Sequence, residues 1–273
     1  SDRSSRSRGD GERSTDPPMD VKVLWTARDW ADAVAALPAG GPLPCRTVLV
    51  PRERVAHALR RELIRSGRGT ALAGTRFLPT VAAAIEVLQA TGVAFDPGED
   101  ALRAARLLAV FRGRLRLTHF PLDLLRTRPG WDEAFARTIS DLEGAGLRPA
   151  DLEGARSPAR LRDVAVVWRA LDESAGRSWT AQRVYLEAAL ALERRSDRWP
   201  FHGATLVTAG GDVTAAKARF LQAIPHATLG LHAARPARDH YLERMGALFS
   251  RTASDLLRAA RAPRASESER DLL

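Results

Sequence analysis

The sequence predicts an α/β protein: a parallel sheet flanked by helices, with an inserted all-helical subdomain. Three observations predict it. Short apolar runs alternate with helix-period segments towards both ends of the chain, and strands that alternate with helices pair in parallel through crossover connections. Two of these runs, TVLVP and ATLVTAG, are continuously apolar or nearly so, as strands buried on both faces are. Between the two α/β stretches, residues from about 99 to 198 show helical periodicity only.

The elements follow in order. Residues 1–18 (SDRSSRSRGDGERSTDPP) balance four Arg against four acids and hold no large apolar side chain, so this tail is expected to be disordered. The first part of the α/β domain is expected over 19–98. VKVLWT at 21–26 opens it as a strand, and Trp30, Ala33, Val34 and Leu37 then fall at helical spacing. TVLVP at 47–51 is a buried strand that Pro51 stops. The helix from 52 to 65 sets Val55, Leu59 and Leu63 on one face and Arg60, Arg61 and Arg65 on others. GTRFLPTVAAAIEVL at 74–88 gives a short extended piece, a proline at a helix start and a third helix.

Within the insertion, Trp131, Ala134, Phe135, Ile139 and Leu142 form one apolar stripe, and Leu161, Val164, Ala165, Trp168 and Leu171 form another. EGAGLRPADL at 143–152 reads as a helix end, a turn, and a short helix begun by Pro149. The α/β domain resumes over 199–260. Its parts are a strand at 204–210, a helix at 212–224 with Asp212 as N-cap, a strand at 227–233 and a helical stretch at 238–260. Residues 261–273 are expected to be a flexible tail or a truncated continuation. With no initial Met, the chain reads as a piece of a longer protein.

Composition sets limits. Of 273 residues, 45% are hydrophobic and 27% charged, an ordinary globular balance. Arg or Pro breaks every apolar run well short of a membrane span, and no secretory leader opens the chain, so a cytoplasmic location without a membrane is expected. Cys45 is the single cysteine, which excludes a disulfide framework. Lys and Arg number 42 against 33 acids, a net charge of +9, yet only Lys22 and Lys217 are lysines. The surplus is clustered. Residues 46–76 hold eight Arg and two Glu, and 101–128 hold seven Arg and one Asp. Residues 129–200 instead carry eleven Arg and twelve acids. An asymmetry of this kind attracts polyanions.

Catalytic motifs are missing from the pattern. A phosphate loop after the first strand needs glycines for close backbone approach and a lysine for the terminal phosphates. The turn here reads Thr26-Ala27-Arg28-Asp29-Trp30, with neither. ATLVTAGGD offers only Asp212 where an acidic pair would hold a magnesium ion. The histidines His57, His119, His202, His226, His232 and His240 show no metal-ligand spacing, and Cys45 has no partner base. Asp141 and Glu143 read as the polar face of a helix. No catalytic residue, cofactor or metal site is expected.

With its order of elements and its inserted helices, the chain resembles the first RecA-like domain of superfamily 1 helicases of the UvrD type. It looks closest to the ATP-inactive helicase-like half of AddB-type subunits and other PD-(D/E)XK-family recombination nucleases. TVLVPRERVAHALRRELI resembles that group's second strand and helix, and GTRFLPTVAAAIEVL the segment after it. ISDLEGAGLRPADLE and LRDVAVVWRALDE resemble parts of its helical subdomain. FHGATLVTAGGDVTAAKARFLQAI resembles the strand and helix where active relatives carry Asp-Glu and a later Gln; here those places read Thr208-Ala209-Gly210-Gly211 and Lys217. The resemblance covers about 21–235 and implies a RecA-like sheet with its phosphate loop lost. The family's nuclease domain is not in these residues, and its iron–sulfur cysteines are missing from them.

The resemblance implies a non-catalytic DNA-binding module of a double-strand-break repair or recombination helicase–nuclease. Its expected partners are DNA, single-stranded or a duplex end, and a helicase or nuclease subunit or C-terminal nuclease domain. The candidate DNA-binding residues are Arg52 and Arg54 after the second strand, then Thr75, Arg76 and Phe77, with Phe77 stacking on a base. This reading expects Arg52, Arg54 and Arg76 to converge on one exposed face. The alternative is a scaffold that docks a helicase or nuclease partner without touching DNA. It expects an exposed apolar patch instead, with Trp25, Trp30, Trp131, Trp168, Trp179 and Trp199 as interface candidates.

Overall fold

A computed structural model describes residues 20–24, 26–38, 45–97, 101–154, 157–176, 178–210, 213–232 and 238–249. Five parallel strands form the main sheet: β1 (Asp20–Leu24), β2 (Arg46–Val50), β3 (Thr75–Pro79), β6 (Ala204–Ala209) and β7 (Ala227–His232), in the order β1-β7-β6-β2-β3. Two further strands, β4 (Asp96–Pro97) and β5 (Ser178–Trp179), pair with each other as a separate parallel ribbon. The insertion was expected to contain helices only; β5 corrects that. Two residues are too few to show any period, so the sequence carries no signal for this pairing.

Helices α1 (Ala27–Ala35) and α2 (Glu53–Arg65) cover one face of the sheet. Helices α3 (Thr80–Ala90), α8 (Ala181–Arg194), α9 (Ala215–Gln222) and α10 (Arg238–Leu248) cover the other. The pleat divides β2 between them: Val48 and Val50 join the core under α1 and α2, and Leu49 joins the opposite one. The chain steps from β1 to β2 to β3 with helices on one face, then returns through β6 to β7 with helices on the other. That reversal is what right-handed crossovers require. On β7, Gly230 faces Trp30 of α1 so closely that an added Cβ would lie 2.5 Å from the indole ring.

The insertion has its own core. Helices α4 (Ala101–Arg112), α5 (Leu122–Thr127), α6 (Trp131–Gly144) and α7 (Ala159–Ala175) bury Leu107, Phe111, Phe135, Ile139, Trp168 and Leu171 together. Ala134, expected in the α6 stripe, is exposed instead. α8 was expected within the insertion but packs in the sheet core, contributing Val184, Ala188 and Leu192. Helical periodicity shows that a face is apolar, not which neighbour it meets. At the other end of the insertion, α7 fastens the loop at 118–120. Buried Asp163 accepts hydrogen bonds from the backbone N–H groups of Thr118, His119 and Phe120 and from the Thr118 hydroxyl. Burial pushes its carboxyl upward, but these bonds outweigh it and hold it below the usual carboxylate range.

Candidate functional site

In a doubly wound sheet, ligands meet the rim where strands end and helices begin. At this carboxyl rim, α1 and α9 are closed by their own side chains. Thr26 Oγ1 accepts from the N–H of Asp29 at 3.1 Å, while Asp29 Oδ2 accepts from the N–H of Thr26 at 3.0 Å. The start of α9 is capped by Thr214, which accepts from Lys217 N–H. Thr214 takes the capping role expected of Asp212, which lies outside the described residues.

α2 begins differently. Its N-cap is Arg52, a side chain with no acceptor, and the cap makes no side-chain hydrogen bond. The Val55 N–H bonds the Arg52 carbonyl at 3.0 Å, which leaves the N–H groups of Glu53 and Arg54 to solvent or an anion. Arg52 and Arg54 are exposed, and neither guanidinium has a hydrogen-bond or ion-pair partner among the described residues. Glu53 between them is turned to Arg60 at 3.2 Å. Arg28, in the first turn of α1, is exposed and equally unpaired among the described residues. Because α1 and α2 pack side by side and follow parallel strands, all three arginines stand on one rim. Arg28 was missed in the sequence. Its signal was its place, two residues after the end of an apolar run at Trp25-Thr26.

Thr75, Arg76 and Phe77 lie elsewhere. They open β3, where Thr75 pairs in register with Arg46 and Arg76 with Thr47. Arg76 is thus five residues back from Arg52 along parallel strands, about 16 Å at the usual strand rise. It stands towards the opposite, amino rim, so the expected convergence of Arg52, Arg54 and Arg76 is corrected. Each of the three is also engaged. Arg76 holds Glu86 through two hydrogen bonds, at 2.5 and 3.0 Å, and lies over the Phe201 ring at 5.2 Å. Thr75 Oγ1 donates to the Ala71 carbonyl. Phe77 is buried in the core under α2 with the Arg60 guanidinium over its ring at 5.0 Å, which closes it to a stacking base.

A second polar cluster ties the insertion to the sheet domain. Arg103 of α4 and Glu143 of α6 form a buried ion pair, and Thr180 at the start of α8 donates to Glu143 at 2.9 Å. Arg183 holds Asp172 at 3.1 Å. Burial raises the Asp172 carboxyl, against the pull of Arg183. A cavity of about 20 Å³ lies among these groups, room for one ordered water. The cluster joins α4, α6, α7 and α8 beside the β4–β5 ribbon and acts as a clamp. Of the tryptophans, Trp30 and Trp168 are core, Trp131, Trp179 and Trp199 are half-buried, and Trp25 lies outside the described residues.

No helix among the described residues is long and apolar enough to cross a membrane. No protein-family model matches the chain, and no curated protein sequence matches it.

Proposed function

We propose that this chain is a non-catalytic, helicase-like DNA-binding module of a double-strand-break repair or recombination helicase–nuclease. It contacts single-stranded DNA at the carboxyl rim, through the loops that follow the sheet strands. The observation that carries this reading is the open start of α2, where Arg52 and Arg54, unpaired among the described residues, stand beside the uncapped N–H groups of Glu53 and Arg54. Arg28 extends the same positive rim to α1. Phosphate contacts are made by this combination of guanidinium and helix N-terminus.

Within this reading the sheet is RecA-like and its phosphate loop is lost. The β1–α1 turn supports the loss physically. Thr26 and Asp29 consume each other's N–H groups, and Asp29 places a carboxylate where a phosphate would be received. The reading is tested by fluorescence anisotropy of labelled single-stranded DNA over a salt series. The Arg52→Ala/Arg54→Ala double variant is expected to flatten the salt slope by about 1.4, two phosphate contacts at about 0.7 each. A wild type that fails to bind at low salt would sink the proposal.

A further inference from the structure

We infer that the outer face of α4 is a docking surface for an acidic amphipathic helix of a partner protein, an inference that does not depend on DNA binding. α4 packs into the insertion with Arg103, Leu107, Val110 and Phe111 buried. On the side away from that core, Leu102, Ala105, Leu108, Ala109 and Arg112 fall at spacings of three and four and are all exposed. Leu102 is 47% exposed and Leu108 40%. A helix that is apolar on both sides is ordinarily covered on both sides. Exposed leucines scattered singly need no explanation, but a continuous stripe along one helix does.

Charge identifies the occupant. α4 carries no acidic residue, and Arg112, Arg114 and Arg116 at its carboxyl end are exposed with no acid partner among the described residues. Half-buried Arg106 instead lines the cavity beside Glu143 and Asp172. Glu99 and Asp100, just ahead of the helix, lie outside the described residues. An apolar stripe rimmed by arginines matches a helix with leucines on one face and glutamates along its flanks, the helix-in-groove mode of recognition. Phosphate contacts alone have no use for exposed Leu102 and Leu108, which favours a protein over a nucleic acid.

The test uses a fluorescein-labelled Leu/Glu peptide of about 20 residues, long enough to form a helix, and a scrambled isomer of the same composition. Wild type is expected to bind the amphipathic peptide saturably and the scrambled one at least about tenfold more weakly. Leu102→Ser/Leu108→Ser should weaken binding about tenfold with an unchanged melting midpoint. Should that variant be unstable, Ala109→Glu, a single exposed change, should weaken binding by charge repulsion. Absent or unsaturable binding overturns the inference, as does equal affinity for the scrambled peptide. So does an unchanged affinity in folded variants. Sedimentation showing a dimer that Leu102→Ser/Leu108→Ser abolishes would assign the face to a second copy instead. Displacement of the peptide by single-stranded DNA, with the variant also losing DNA, would assign it to nucleic acid. Either result refutes the partner helix.

Discussion

At the carboxyl rim of the sheet Arg52 and Arg54 stand exposed with no acid partner among the described residues, whereas Arg76, towards the amino rim, clasps Glu86 and covers Phe201. The residue type is the same and so is the neighbourhood in sequence. What differs is the place along a parallel strand. A strand begins at one rim and ends at the other, so arginines on either side of it serve different ends of the molecule. At the amino rim Arg76 is held by Glu86, and Gly203 lies tight against the Cys45 carbonyl. At the carboxyl rim the start of α2 has no side-chain cap, and Arg52 and Arg54 are exposed and unpaired among the described residues.

The largest expected effect comes from loading the amino rim. Gly203, just ahead of β6, has a φ of +79°, and a Cβ added there would lie 1.8 Å from the Cys45 carbonyl oxygen. Backbone cannot retreat as a side-chain end can. Gly203→Ala is therefore expected to cost at least about 2 kcal/mol, strain at positive φ adding to overpacking, measured by urea denaturation. A variant as stable as wild type would mean that this rim is looser than the contact implies.

A change remote from both rims sharpens the comparison, because it separates DNA binding from stability. Asp163→Asn removes a charge that accepts hydrogen bonds from four donors at the 118–120 loop and should cost about 1–3 kcal/mol at neutral pH. The Asp163 carboxyl is held low in the folded chain. Its contribution is therefore present above the unfolded value of about 3.9 and is lost as pH falls through the lower folded value. The difference between variant and wild type should accordingly shrink in acid, as read by melting at stepped pH. The DNA salt slope should stay unchanged in Asp163→Asn and flatten by about 1.4 in Arg52→Ala/Arg54→Ala. That double variant should keep its stability within about 0.5 kcal/mol, since no described residue pairs with either guanidinium. The opposite pattern would place binding on the insertion.

Most elements were legible because burial leaves a period. Pro51 ends the strand it was expected to end, and Val48, Leu49 and Val50 are buried on both faces as a continuous apolar run implies. The rims were less legible, because rim position depends on register between strands distant in sequence. GTRFLP shows an extended segment but not that Thr75 lies level with Arg46. The fate of α8 was hidden for a similar reason: its apolar face fits either core, and only contact with α3 and α9 assigns it to the sheet. The outer stripe of α4 is the converse case. Leu102 and Leu108 look like core residues in sequence, and their exposure emerges only once Leu107 and Phe111 have taken the inward face.

The smallest expected effect sharpens the comparison most directly. Arg76→Ala removes the bidentate pair with Glu86 and the contact over Phe201, on a side chain still 53% exposed. An exposed ion pair contributes about 0.2–1 kcal/mol, and a loss in that range is expected by urea denaturation at low salt, fading as salt screens the pair. Its effect on DNA should be nil. Arg76 lies towards the rim away from the helix starts, and its guanidinium is already neutralised by a carboxylate that DNA would have to displace. If Arg76→Ala flattens the salt slope as Arg52→Ala/Arg54→Ala does, the DNA track spans both rims. The two-rim division would then fail. If the slope stays at the wild-type value while stability falls slightly, the same residue type serves packing at one end of the sheet and binding at the other.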